Sequence, residues 1–166
     1  MPNNKLIFMT REKYNPEDDY NMFDWWKKAM IDNYANFKGR ARRKEYWFSQ
    51  LMNTVIITIL YIPIIASAIE TRNGGAPNAL TYLFLILIVI YAFGFLVPGL
   101  ALAVRRLHDI GKSGWFWFIG LIPFVGGIIL LVQYCTDSQH GENQWGPNPK
   151  GIGNNDKLDQ IGVSEE

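Results

Sequence analysis

Leu83–Val97 reads LFLILIVIYAFGFLV, fifteen residues without a charge. As a helix it would be apolar all round, so it must be buried on every side in a soluble protein or sit in lipid. The surroundings extend the run. No Asp, Glu, Lys or Arg occurs in the 25 residues from Leu80 to Val104, the 24 from Tyr46 to Ile69, or the 21 from Trp115 to Cys135. At about 1.5 Å per residue each run covers roughly 30 Å or more as a helix, the thickness of a bilayer's hydrocarbon core. A chain of 166 residues has too little remaining protein to cover three such helices in water. The expected fold class is all-α: a polytopic integral membrane protein of about three transmembrane helices, near 46–69, 80–104 and 115–135, plus an N-terminal amphipathic interfacial helix.

Working outward, residues 1–20 read as a polar, mobile extension with a turn at Asn15-Pro16. No secretory signal is visible, so the first span would serve as an uncleaved insertion signal. In the segment 21–37, Phe23, Trp26, Met30, Tyr34 and Phe37 recur at helical spacing. Asn21 is the expected N-cap with Asp24 as its partner. This helix either lies in the membrane surface or packs on the rest of the protein. Residues 21–150 are taken as one membrane domain, with a tail loop at 136–149 and a mobile tail at 151–166.

Lysine and arginine set the orientation. Residues 21–45 carry seven, the connector 70–79 carries one, and the connector 105–114 carries three. Cations that flank spans stay cytoplasmic. The N-terminus is therefore expected inside, the first connector outside and the second inside, in a bacterial cytoplasmic membrane. The third run holds Pro123, Gly126 and Gly127 near its middle. It is either a kinked span, the preferred reading, or a re-entrant pair of half-helices whose tail stays inside.

Two polar segments border these runs. KGRARRKEYW, Lys38–Trp47, places five cations within seven residues. It reads first as a topological anchor that attracts anionic head groups. A nucleic-acid role is set aside, because no aromatic residues interleave the cations in a stacking pattern. RRLHDIGKSG, Arg105–Gly114, reads either as a charged elbow capped by Gly111 and Ser113, with Arg105 reaching Asp109 one turn on, or as a site that grips a phosphate or lipid head group. The candidate anionic-lipid or partner-binding residues are Arg40, Arg42, Arg43, Glu45, Arg105, Arg106, His108, Asp109 and Lys112. The adjacent His108 and Asp109, with His140 distant, lack zinc-ligand spacing, and neither Ser113 nor Cys135 stands in a nucleophile motif with His108. No cofactor, metal or enzymatic role is expected.

NFKGRARRKEYW, RRLHDIGKSGW, LIPFVGGIILL and GENQWGPNP, in that order, closely resemble domain-of-unknown-function family 805, the small bacterial inner-membrane proteins of the YhaH type. The resemblance runs from about Phe23 to Lys150. It implies an integral inner-membrane protein with a few spans and carries no catalytic role across. It marks the basic segment, the elbow and the loop around Gly141, Asn143, Gly146 and Pro147 as signature positions. A Glu45 ion pair with Arg105 or Arg106 is expected to fix how the first two spans pack. The expected role is non-catalytic: structural, or binding anionic lipid, another membrane protein or a second copy. The alternative is a small transporter or channel subunit acting as an oligomer, although the spans hold no ionisable group at mid-membrane.

Overall fold

The computed structural model describes residues 15–154. Within them the chain is helical throughout, joined by turns and by one isolated bridge between Asn143 and Gly146. The expectations for residues 1–14 and 155–166 lie outside the described residues.

After a short 3-10 turn, Pro16–Asp19, helix α1 spans Met22–Lys27 and runs on as a π-turn, Lys28–Asp32. Asn21 and Asp24 form the expected capping box. The spaced residues divide between a buried and an exposed face. Trp25, Ala29 and Met30 are buried, whereas Phe23, Tyr34 and Phe37 are exposed. A π-turn adds residues per turn, so the 3.6-residue periodicity slips at Lys28, and Tyr34 and Phe37 lie beyond the helix. α1 packs on the next helix: Ser49 donates to the Trp25 carbonyl at 3.3 Å, and Trp26 Nε1 donates to Asn53 Oδ1 at 3.1 Å.

Two long helices follow, α2 Arg43–Arg72 and α3 Ala79–Asp109, packed side by side and joined by a short turn. Each is about 45 Å long. Only 11% and 6% of their most apolar stretches are buried. Side chains such as Ile62, Ile90 and Phe93 therefore point outward, which excludes the water-soluble globule with three buried helices. The core sits at one end, where Tyr46, Leu102, Ala103, Leu107, Leu130 and Tyr134 meet. Pro98 leaves the Gly94 carbonyl without its usual helical donor, and the Tyr34 hydroxyl donates to it at 3.0 Å.

The third apolar run does not form one continuous helix. Gly114–Leu121 is a 3-10 segment, and helix α4 is only Gly126–Cys135. Both ends meet the same end of α3: a Cβ at Gly114 would lie 2.8 Å from Val104, and Arg106 donates to the Tyr134 carbonyl at 3.2 Å. The run is a hairpin. Pro123 interrupts the helical ladder, Phe124 adopts a φ of 65°, and the Ile119 carbonyl oxygen lies where a side chain of Gly126 would be, 2.0 Å from an ideal Cβ. Gly126→Ala is expected to force the hairpin open at a cost of about 3 kcal/mol. A shift of the denaturation midpoint in detergent, together with new protease cleavage between residues 119 and 128, checks this.

Candidate functional site: a buried charge cluster at one end of the bundle

α3 ends in a Schellman motif. Gly111, at φ 79°, donates to the His108 carbonyl at 3.1 Å, and Lys112 donates to the Leu107 carbonyl at 2.9 Å. Ser113 accepts from Trp115 N at 3.4 Å and caps the hairpin's first arm. The capped elbow is therefore present, and it places Arg105, Arg106, His108 and Asp109 inside the protein, all buried.

Asp109 is the hub of one network. Its carboxylate takes Arg40 Nε at 3.0 Å and Ser138 Oγ at 2.6 Å, and pairs with Arg106. Arg40 uses all five of its donors internally, the others going to the carbonyls of Asp109, Gln139, Gly141 and Gly146. Arg106 also reaches the carbonyls of Ala41, Tyr134 and Thr136. Two arginines thus tie the segment before α2, the end of α3, the hairpin and the tail into one cap. Asp109 pairs with Arg106 and Arg40 rather than Arg105, whose guanidinium is taken by Glu45 on α2.

Arg105 instead meets Glu45 at 2.7 Å, the expected pair. Lys28 Nζ lies 3.0 Å from the other Glu45 oxygen. A chain of charges continues outward, with Lys28 to Glu17 at 2.6 Å, Glu17 to Arg42 at 3.6 Å and Arg42 to Asp18 at 2.9 Å. Trp25 lies beneath it, its ring 5.2 Å from the Lys28 ammonium and 5.7 Å from the Arg42 guanidinium. Residues 15–20, expected to be mobile, are thus held against the cap, and Asn15 Nδ2 donates to the Pro149 carbonyl at 2.8 Å.

His108 stacks on Trp145 at 4.4 Å and donates Nδ1–H to the Gly39 carbonyl at 3.2 Å. Trp145 therefore packs on the elbow. Asn143 donates to the His108 carbonyl at 2.9 Å. Ser138, Gln139 and Asn148 were missed as members of the cap. Ser138 donates to the Asp109 carboxylate, Gln139 accepts from the Asn143 side chain and Asn148 donates to the Gln139 carbonyl, pairings set by how the tail folds back and not by any motif spacing. Arg43 and Lys112 sit at the rim. Arg43 is paired with Asp137 at 3.1 Å, and Lys112 is exposed with its ammonium over Phe116. The Lys150 ammonium, hydrogen-bonded to Asp137, holds that carboxyl below the usual carboxylate range. Among the described residues no group of three His, Cys, Asp or Glu side chains is placed to hold a metal ion.

Known proteins are similar to this chain in sequence. The family model described as "Protein of unknown function (DUF805)" matches residues 34–147. The chain is 37% identical over 125 residues to inner membrane protein YhaI of Escherichia coli strain K12, covering 75% of this chain and 95% of that protein. It is also 37% identical over 127 residues to inner membrane protein YhaH of the same strain, covering 76% and 97%. No solved structure matches. These relatives are bacterial inner-membrane proteins, and the exposed apolar faces of α2 and α3 give this chain the same solvent. The chain belongs to the DUF805 family and is an integral membrane protein.

Proposed function

We propose that this is a non-catalytic protein of the bacterial inner membrane with two crossings, α2 and α3, and a re-entrant hairpin, and that its capped end faces the cytoplasm and binds anionic lipid. The orientation rests on the excess of Lys and Arg at that end. The exposed Phe37, beside Val104 and His108 near the end of α3, supports a position at the head-group level for the segment after α1. Arg40, Arg105, Arg106 and Asp109 are committed internally, so their role in this reading is to hold the cap.

The observation that carries lipid binding is a groove of about 420 Å³ lined by Arg43, Lys44, Trp47, Phe48 and Cys135. It joins two cations to apolar walls at the start of α2, with Trp47 exposed in the manner of an interfacial aromatic belt. A head-group phosphate suits the cations and an acyl chain suits the walls. Each cation near an anionic surface contributes about 1 kcal/mol, so Arg43→Gln with Lys44→Gln is expected to weaken phosphatidylglycerol binding about 30-fold and to leave phosphatidylcholine unchanged. Native mass spectrometry of the full chain in detergent with each lipid reads this out. Equal phosphatidylglycerol retention by both proteins would reject the groove. Co-capture of membrane proteins from mild detergent tests the partner-binding side of the reading.

A further inference from the structure

The ion chain at the edge of the cap contains an occupant that differs from its surroundings. Arg42, Lys28 and Arg105 alternate with Glu45, Glu17 and Asp18. Glu17 and Asp18 belong to the turn Pro16–Asp19, which buries no residue of its own. The ion pairs of Glu17 and Asp18, the Asn15 bond to Pro149 and the edge of the Tyr20 ring on Trp25 hold the turn in place. It lies upstream of residue 34, where the family match begins, as do Lys28 and Trp25, whereas Arg42, Glu45 and Arg105 lie within the match.

The fit is also incomplete. Glu17 Oε2 and Arg42 Nη1 stand 3.6 Å apart, both buried, and neither makes a hydrogen bond. Arg105 Nε and Nη2 are likewise buried without an acceptor. The donor nitrogens without a hydrogen bond belong to two arginines, and the carboxylate oxygens without one are Glu17 Oε2 and Glu45 Oε2. Without Glu17 and Asp18 the remaining Lys28, Arg42, Arg105 and Glu45 would sum to a formal charge of +2. Two carboxylates meet that charge through separate side chains. A phosphate group offers several oxygens from one centre, to which a guanidinium can donate twice.

We propose that Arg42 and Lys28, over Trp25, form a cradle for a phosphate-bearing anion, and that the Glu17–Asp18 turn is a displaceable internal occupant of it. The natural source is an anionic lipid head group, and a soluble phosphate ester has the same chemistry. The cradle shares with the proposed function only the placement of this end at the head groups. It uses none of the groove residues, so groove variants and cradle variants fail separately.

The test uses the full chain in detergent with phosphatidylglycerol, phosphatidylcholine and glycerol 3-phosphate as probes. Glu17→Gln with Asp18→Asn is expected to tighten phosphatidylglycerol binding about tenfold or more, and Arg42→Gln in that background is expected to remove the gain. A gain for phosphatidylglycerol alone identifies the lipid as the source, and a gain for glycerol 3-phosphate as well shows that the phosphate suffices. The wild-type protein gives a second readout that requires no variant to fold. Phosphatidylglycerol should speed hydrogen exchange at the Asp18 and Tyr20 amides, which are bonded within the turn to the Asn15 and Glu17 carbonyls, and phosphatidylcholine should not. The proposal is overturned if the doubly neutralised protein, with unchanged helical content, binds none of the phosphate probes more tightly, if the gain survives Arg42→Gln, or if exchange in the turn ignores phosphatidylglycerol.

Discussion

Asp109→Ala is expected to cost about 3–5 kcal/mol, because it leaves two buried guanidinium groups without their carboxylate. The Asp109 side chain is fully buried, Arg40 is 1% exposed and Arg106 is 0% exposed. Neither arginine can move to water without dismantling the cap. Total stabilities of about 5–15 kcal/mol make this a large fraction of the whole. The loss should appear as a lower denaturant midpoint in detergent and as new tryptic cleavage at Arg40 and Arg106. Asp109→Asn keeps the shape and one acceptor, so it should fall between wild type and alanine. Lys112→Ala, at an exposed rim position, should stay within about 0.5 kcal/mol of wild type. A midpoint for Asp109→Ala as close to wild type as that would mean the tail and hairpin are held by something other than this hub.

Glu45→Ala is the second large effect, again about 3–5 kcal/mol. Glu45 is fully buried and supplies the acceptor for Arg105 Nη1, while Arg105 Nε and Nη2 already lack one. Removing it leaves that guanidinium with no hydrogen-bond acceptor among the described residues. A charge exchange, Glu45→Arg with Arg105→Glu, should restore only part of the loss. Lys28, 3.0 Å from the carboxylate, would then face a like charge, so adding Lys28→Gln should recover more. Thermal melts of the single, double and triple variants decide the matter. Full recovery by the double exchange alone would show that Lys28 does not share Glu45.

Local chemistry was the readable part of this fold. The Asn21–Asp24 capping box and the Gly111 and Ser113 caps depend on residues within a few positions of one another, so they were visible in the sequence. The Glu45–Arg105 pair was readable because opposite charges beside apolar runs have few places to go. Composition could not distinguish a span from a hairpin at Trp115–Cys135. Both are equally apolar, and the difference lies in the Ile119 carbonyl meeting the space beside Gly126. The end of the lead helix was not readable, because a π-turn at Lys28–Asp32 shifts periodicity without a composition signal. Arg40, the most connected side chain of the cap, stood out only as one cation among five, since four of its five bonds go to backbone carbonyls. The docked Glu17–Asp18 turn lay outside every motif.

The account depends most on the third apolar run doubling back, so that both ends of the protein share one side of the membrane. A reporter active on only one side, fused in separate strains to the N-terminus, to the connector at Asn73–Asn78 and to the C-terminus, tests this directly. The expected result is cytoplasmic signal from both termini and external signal from the connector. A C-terminal fusion that reports from outside while the N-terminal fusion reports from inside would contradict the account, because the hairpin would then be a crossing and the cap could not close.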